Sequence, residues 1–336
     1  MNSSSQIKKF ILDNISNHRK DIIHTAIQRF GVSRQAVLKH MHSLINDKQV
    51  IAHGKTRDRF YELRPYVNYQ KTIVIDNSFS SNFILNQYVS PHLKHLSNNL
   101  ADIIKFSLGA LFQNVKDHSN SAKLFFKLYF NHECLHAIIS DNGQGLFGHI
   151  SSTIKLDSLQ NAAIELVKGG VTTDKENHSG DELNAVINLF DYSKIESNGM
   201  FLEFQNEKLS YHSGESTQKH GTRMHFKIDP NSKRTCQEIF KKIFDPENKS
   251  LFIPINLLSI NENDQINSRS QAKSVLRKID GMKIINLDFK YVELIGPAFA
   301  DELIRIIKKT DSKIKIKWFN SNETIDILMS HALKRF

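Results

Sequence analysis

Residues 98–117 carry Leu100, Ile103, Ile104, Leu108, Leu111, Phe112 and Val115 at the three- and four-residue spacing of a single helical face. A stripe that long must be buried, and the residues after it supply the partner. AKLFFKLYF (122–130) and LHAIIS (135–140) read as strands, and the second runs directly into DNGQGLFG (141–148). The reading is of a long helix with one buried face, followed by two strands, the second leading into a glycine-rich turn. Asn114 and His118 stand one turn apart beside the stripe and can face a cavity. A further strand-like run, KTIVI (71–75), opens this unit after Pro65.

Upstream the pattern is different. SQIKKFILDNIS (5–16) and DIIHTAIQRF (21–30) have helical spacing. Gly31 is placed to stop the second helix. Ser33 is placed to cap a third, SRQAVLKHMHSLINDK (33–48), with Val37, Leu38, Met41, Leu44 and Ile45 turned inward. VIAHG and RFYEL then flank GKTRD as two short strands. Helix, glycine turn, helix and ribbon resemble the winged helix-turn-helix of bacterial transcription regulators. The charge agrees: residues 1–64 hold twelve Lys and Arg against five Asp and Glu, an excess of seven in a chain of net charge +10. Ser33, Arg34, Gln35, Lys39 and His40 are the expected DNA contacts of the third helix, with Arg34 and Gln35 of the types that read base edges. Lys55, Arg57 and Arg59 on the ribbon are the expected phosphate contacts. A solvated basic face, or a winged unit that contacts only protein, is the competing reading.

From about residue 250 strands and helices alternate. LFIPINLLS (251–259), KIINLDF (283–289) and KIKIKWFN (313–320) read as strands. SRSQAKSVLRKI (268–279), PAFADELIRIIKKT (297–310) and ETIDILMSHAL (323–333) read as helices, with Ser268 or Ser270 near one cap and Pro297 in a first turn. Such alternation predicts a mostly parallel or mixed sheet under helices.

The glycine turn admits two chemistries. Gly143, Gly145 and Gly148 match GxGxxG after a strand, the dinucleotide-binding turn. That turn requires a helix and then a second parallel strand, and residues 150–168 contain no strand pattern. Read instead as DxGxG, Asp141 to Gly145 follows an Asn-bearing helix and precedes GGVTTD and the Gly221-Thr222 pair. This order resembles the GHKL ATPases (gyrase, heat-shock chaperone, histidine kinase and mismatch-repair protein). "SRSQAK…LDF…IGPAFADEL" closely resembles the STAS-like domain that follows GHKL domains in a bacterial family of helix-turn-helix regulators, and the stretch KGGVTTDKENHSG belongs to the same likeness.

The resemblance implies a multi-domain α+β chain: a winged helix-turn-helix at 1–65, a GHKL (Bergerat) α/β sandwich at 70–235 and a STAS-like α/β domain at 250–336. It implies ATP or a related adenine nucleotide with Mg²⁺ as ligands. Asn114 would hold the metal, Asp141 would accept the adenine amine, Gly143 and Gly145 would line the base pocket, and Thr222 would support the adenine end. Thr172, Thr173 and His178 to Gly180 would form a lid over the phosphates.

Two departures follow from the residues themselves. The position four before Asn114, where these ATPases carry the general base, is Ala110. The second glycine box reads Gly180-Asp181-Glu182-Leu183, with acids where phosphates would lie. Loss of a positioned base costs about 10²–10⁴ in rate, so hydrolysis is expected to be weak or absent and no catalytic residue is assigned. Asp117 or Glu182 could act in its place. The expected function is a DNA-binding regulator that senses nucleotide, with a protein partner or second protomer engaged through the STAS-like domain. An active ATPase or protein serine kinase acting on a separate partner, and an interaction scaffold with a dead pocket, are the alternatives. The STAS-like turn Glu293-Leu294-Ile295-Gly296-Pro297 has no hydroxyl to phosphorylate, which disfavours a self-contained kinase switch. Arg269 and Asp301 are the polar positions there to watch. No run is apolar enough to span a bilayer and the N-terminus lacks a signal-peptide core, so a cytoplasmic protein is expected.

Overall fold

The computed structural model describes residues 3–169, 181–243, 247, 249–259, 265–277 and 279–336. These fall into two compact units. One comprises residues 1–71, 126–137 and 227–232; the other comprises 72–125, 138–226 and 233–336.

In the first unit three helices, α1 (Ser3–Asn14), α2 (Ile22–Phe30) and α3 (Arg34–Asn46), precede an antiparallel ribbon of β1 (Val50–His53) and β2 (Phe60–Leu63). Ile11, Ile15, Ile22, Ala26, Val37 and Met41 form its core. Gly31 ends α2 at φ +64°, returning its N–H to the Ile27 carbonyl, a conformation that costs glycine little. Ser33 caps α3 by accepting the Ala36 N–H at 3.3 Å. The ribbon register pairs Val50 with Leu63 and His53 with Phe60.

Strand β3 (Val67–Val74) begins four residues before the KTIVI run that was expected to open it. A short helix α4 (Ser81–Ile84) leads to α5 (Asn98–His118), whose buried face is the stripe read from the sequence. Then come β4 (Lys123–Phe130), β5 (Leu135–Asp141), α6 (Leu146–Thr153), α7 (Leu159–Lys168) and α8 (Glu182–Leu189), followed by β6 (Tyr192–Ser197), β7 (Met200–Gln205), β8 (Ser210–Glu215) and β9 (Thr222–Ile228). These strands form a seven-stranded sheet in the order β3-β4-β5-β9-β6-β7-β8. Along β4, β5, β6 and β7 every second residue is buried, as a sheet covered on one face requires. The consequence for the site is positional: β9 lies beside β5, which brings the Gly221-Thr222 pair next to Asp141.

Helix α9 (Cys236–Ile243) sets Phe240 against Phe106 of α5, with ring centroids 4.7 Å apart. The C-terminal part is a parallel sheet of β10 (Ser250–Pro254), β11 (Ile284–Asp288) and β12 (Lys315–Phe319), connected through α10 (Arg269–Val275) and α11 (Pro297–Thr310) and closed by α12 (Glu323–Arg335). Ser268, rather than Ser270, caps α10, in a reciprocal box with Gln271. One expectation fails. The strand read over 251–259 stops at Pro254, and residues 255–258 turn as a tight helix. Asn256 there donates to the Tyr211 carbonyl at 2.6 Å, and Leu257 is fully buried. The tertiary seat overrides the apolar run.

Candidate functional site

Helix α5 and the end of β5 approach one hollow of about 930 Å³, counting the part open to solvent. This is within the range of small-ligand sites. Its walls are apolar, from Leu111, Val115, Ile139, Ile150, Leu166 and Met224. Asn114, His118, Asp141, His149, Glu182 and Thr222 supply its polar groups. Residues from α5, β5, α6, α7, α8 and β9 therefore meet at one place.

Asp141 is 5% exposed. Its Oδ1 accepts the Gly143 N–H at 2.7 Å, and the Thr222 backbone N–H also favours the charged form. Burial pushes its carboxyl above the ordinary carboxylate range, and the two N–H groups partly restrain the shift. The turn closes by contact of backbone with backbone. The Gln144 N–H reaches the Ser119 carbonyl at 2.8 Å and the Gly221 N–H reaches the Gly143 carbonyl at 2.9 Å. A Cβ at Gly143 would strike the Ser119 carbonyl, and one at Gly221 would strike the Asp141 carbonyl. Gly143 thus serves the approach of two chain segments and is not among the residues lining the hollow; Gly145 is.

The first turn of α6 is already occupied. The Leu146 N–H is shared between Ser197 Oγ (2.8 Å) and Thr222 Oγ1 (3.0 Å), and the Gly148 N–H binds Asn198 Oδ1 (2.8 Å). These are the donors a dinucleotide turn would aim at pyrophosphate. The chain that follows forms α6 and α7 with no strand, so the GxGxxG reading has neither its donors nor its context.

Asn114 lines the hollow, and its side chain makes no hydrogen bond with a described residue. His118 and His149 stand face to face, 5.7 Å between centroids and 25° from parallel. Gln144 Nε2 donates to the His118 carbonyl at 2.5 Å and meets His149 Nδ1 at 3.0 Å. With Nδ1 accepting, the His149 proton sits on Nε2, which is buried without a partner among the described residues. Burial, and then the neighbouring His118, lower the His149 pKa, which keeps its ring neutral at neutral pH. The hollow therefore offers two carboxylates, Asp141 and Glu182, with the Asn114 amide and the His149 Nε2–H, within apolar walls.

Of the two acids offered as substitute bases, Glu182 lines the hollow. Asp117 is exposed and accepts from Gln113 at 2.8 Å on the same helix. Ala110 lies one turn before Asn114 and is not part of the lining. Thr172, Thr173 and His178 to Gly180 lie outside the described residues. His149, Ser197 and Asn198 were not singled out from the sequence. For the last two a signal existed: Asn198-Gly199 is a two-residue hairpin turn, with both residues at positive φ.

On the first unit, Ser33, Arg34, Gln35 and Lys39 are exposed along α3, and Lys55, Arg57 and Arg59 are exposed on the ribbon turn. The Ser33 hydroxyl is engaged as the α3 cap. His40 differs from its neighbours. It is half-buried, and burial, then the Lys8 and Lys39 charges, lower its pKa. In the C-terminal part Asp301 pairs with Arg335 at 2.7 Å, and Arg269 begins α10.

Comparison with protein families matches residues 271–326 to one described as a STAS-like domain of unknown function (DUF4325). The match covers most of α10, then β11, α11, β12 and the first turn of α12, within the C-terminal alternation of strands and helices. Curated proteins and solved structures gave no match. Among the described residues no helix is long and apolar enough to cross a membrane.

Proposed function

We propose that this chain is a cytoplasmic DNA-binding transcription regulator whose middle domain senses an adenine nucleotide. In this reading residues 1–65 are a winged helix-turn-helix, residues 70–235 a GHKL-type domain, and residues 250–336 a STAS-like domain that engages a protein partner or a second protomer. The observation that carries the reading is the convergence of Asn114, Asp141 and Thr222 on one apolar-walled hollow. A buried carboxylate selects adenine by accepting from its exocyclic amine, and the apolar walls suit the faces of the base. The Asn114 amide oxygen, a hard ligand with no competing hydrogen bond among the described residues, suits Mg²⁺, which takes its remaining ligands from water and phosphate. Mg²⁺ bound there would offset the charge of Glu182 toward a polyphosphate.

Hydrolysis is weak or absent on this reading, because Ala110 provides no proton acceptor. Glu182 is the one observation that favours an active ATPase or a protein kinase acting on a separate partner, since its carboxylate lies on the hollow. Ligand occupancy regulates DNA affinity only if the nucleotide binds two states of the chain unequally. Calorimetric titration of the full chain with ATP and Mg²⁺ tests the reading, with GTP as the control. Saturable binding of ATP and none of GTP is expected. Failure of ATP to bind removes the nucleotide sensor and leaves the scaffold alternative.

A further inference from the structure

The two helices that carry one wall of the hollow both end on a single residue of the C-terminal part. Helix α6 contributes Leu146, His149 and Ile150 to the lining, and α7 contributes Leu166. At the C-terminal end of α6 the Arg277 guanidinium donates from Nη2 to the Ile154 carbonyl and from Nη1 to the Lys155 carbonyl, each at 3.3 Å. At the C-terminal end of α7 Lys168 Nζ donates to the carbonyl of the same Arg277 at 2.7 Å and to Glu165 Oε1 at 2.6 Å. The Lys168 and Glu165 side chains are each 3% exposed. Arg277 lies within the segment matched to the STAS-like family.

Physics favours this arrangement. The last carbonyls of a helix lack intrahelical donors and carry partial negative charge, so a cation there both bonds and neutralises them. Arg277 does this for α6, and Lys168 stands at the same end of α7. Lys155 makes the contact more than incidental. It holds φ +54°, a left-handed conformation that is costly for a side-chain-bearing residue. Its carbonyl is one of the two that the guanidinium grips, so Arg277 helps hold the strained exit of α6 in place.

We infer that Arg277 is a positioning residue through which the STAS-like domain sets the shape of the ligand hollow, and through which ligand in the hollow acts on that domain. The ligand half rests on the nucleotide reading above; the geometric half does not. Because coupling between two sites is reciprocal, a partner that shifts α10 alters nucleotide affinity by the same factor as nucleotide alters partner affinity.

The test uses the full chain with Arg277→Gln, Arg277→Lys and the double variant Arg277→Gln with Lys155→Gly. Glycine at 155 takes the left-handed conformation at little cost, so it should recover the α6 exit without the guanidinium. Melting temperature reports on folding, calorimetry on ATP with Mg²⁺, and amide hydrogen exchange on residues 145–150 without ligand. The expected result is ATP affinity lowered by about 5- to 20-fold in Arg277→Gln, an intermediate loss in Arg277→Lys, and partial recovery in the double variant. Exchange at 145–150 should quicken and recover in parallel. If wild type and Arg277→Gln bind ATP alike and exchange alike, the inference is overturned while the nucleotide reading stands. If the wild type binds no ATP, the nucleotide reading falls and exchange decides alone: faster in Arg277→Gln and recovered in the double variant upholds the positioning role, unchanged overturns it.

Discussion

Asp141→Asn isolates the chemistry of the hollow with almost no change of shape. An ionised carboxylate offers only acceptors, whereas the amide replaces one of its oxygens with a two-hydrogen donor. In the native turn Oδ1 accepts the Gly143 N–H at 2.7 Å. Asparagine keeps the turn by leaving its carbonyl oxygen on Gly143. Its NH₂ then occupies a position that had been an acceptor. The adenine amine meets a donor there, and a charge-assisted hydrogen bond worth about 1.5–3 kcal/mol is lost, a fall of about 10- to 100-fold in ATP affinity. Inosine triphosphate, with a carbonyl in place of that amine, should lose less, so the preference for adenine narrows or inverts.

Stability should move the other way. The folded state raises the Asp141 pKa above its unfolded value, so this group's contribution to stability is full below about pH 3.8 and is lost as pH rises through the folded pKa. The amide does not titrate, so the variant's melting temperature should improve relative to wild type on going from acid to neutral pH. Calorimetry with ATP and ITP at neutral pH, with melts across pH 4 to 7, covers both halves. ATP binding within twofold of wild type would refute the role given to Asp141.

Further outcomes follow from the same geometry. Asn114→Ala should remove the Mg²⁺-dependent part of ATP affinity while changing stability by no more than about 0.5 kcal/mol, since the amide has no bond to lose among the described residues; calorimetry with and without the metal checks it. Ala110→Glu places a carboxylate one turn before Asn114 and should raise phosphate release by up to about 10²-fold; an unchanged rate would show that a missing base is not what limits turnover. On DNA, Arg34→Ala should cost about 1–3 kcal/mol and relax sequence preference, whereas Lys55→Ala should weaken all sequences alike and reduce the salt slope by about one. Gel-shift titrations at several salt concentrations separate the two behaviours.

Much of the scaffold was legible because it is encoded locally. The α5 stripe, the Gly31 stop, the Ser33 and Ser268 caps and the Pro297 start each depend on residues within a turn or two of one another. The alternation after residue 250 likewise pointed to a sheet under helices, and the observed sheet is parallel throughout. What sequence reading missed depends on distant partners. Residues 255–258 look like strand until the seat of Asn256 on Tyr211 bends them. The α6 N-terminus looks like a phosphate cradle until Ser197 and Asn198, about 50 residues away in sequence, take its N–H groups. Gly143 looks like a pocket glycine, yet its neighbour is the Ser119 carbonyl. Arg277 carries no local signal at all, since its role lies in contacts with the ends of α6 and α7 more than 100 residues earlier.

The central claim is that one hollow brings Asp141 and Asn114 onto the same nucleotide. A crystal structure of the full chain grown with ATP and Mg²⁺ tests it most directly. It should show the adenine amine within hydrogen-bond distance of the Asp141 carboxylate and the metal on the Asn114 amide oxygen. Nucleotide bound elsewhere, or a hollow without nucleotide at saturating concentration, would contradict it.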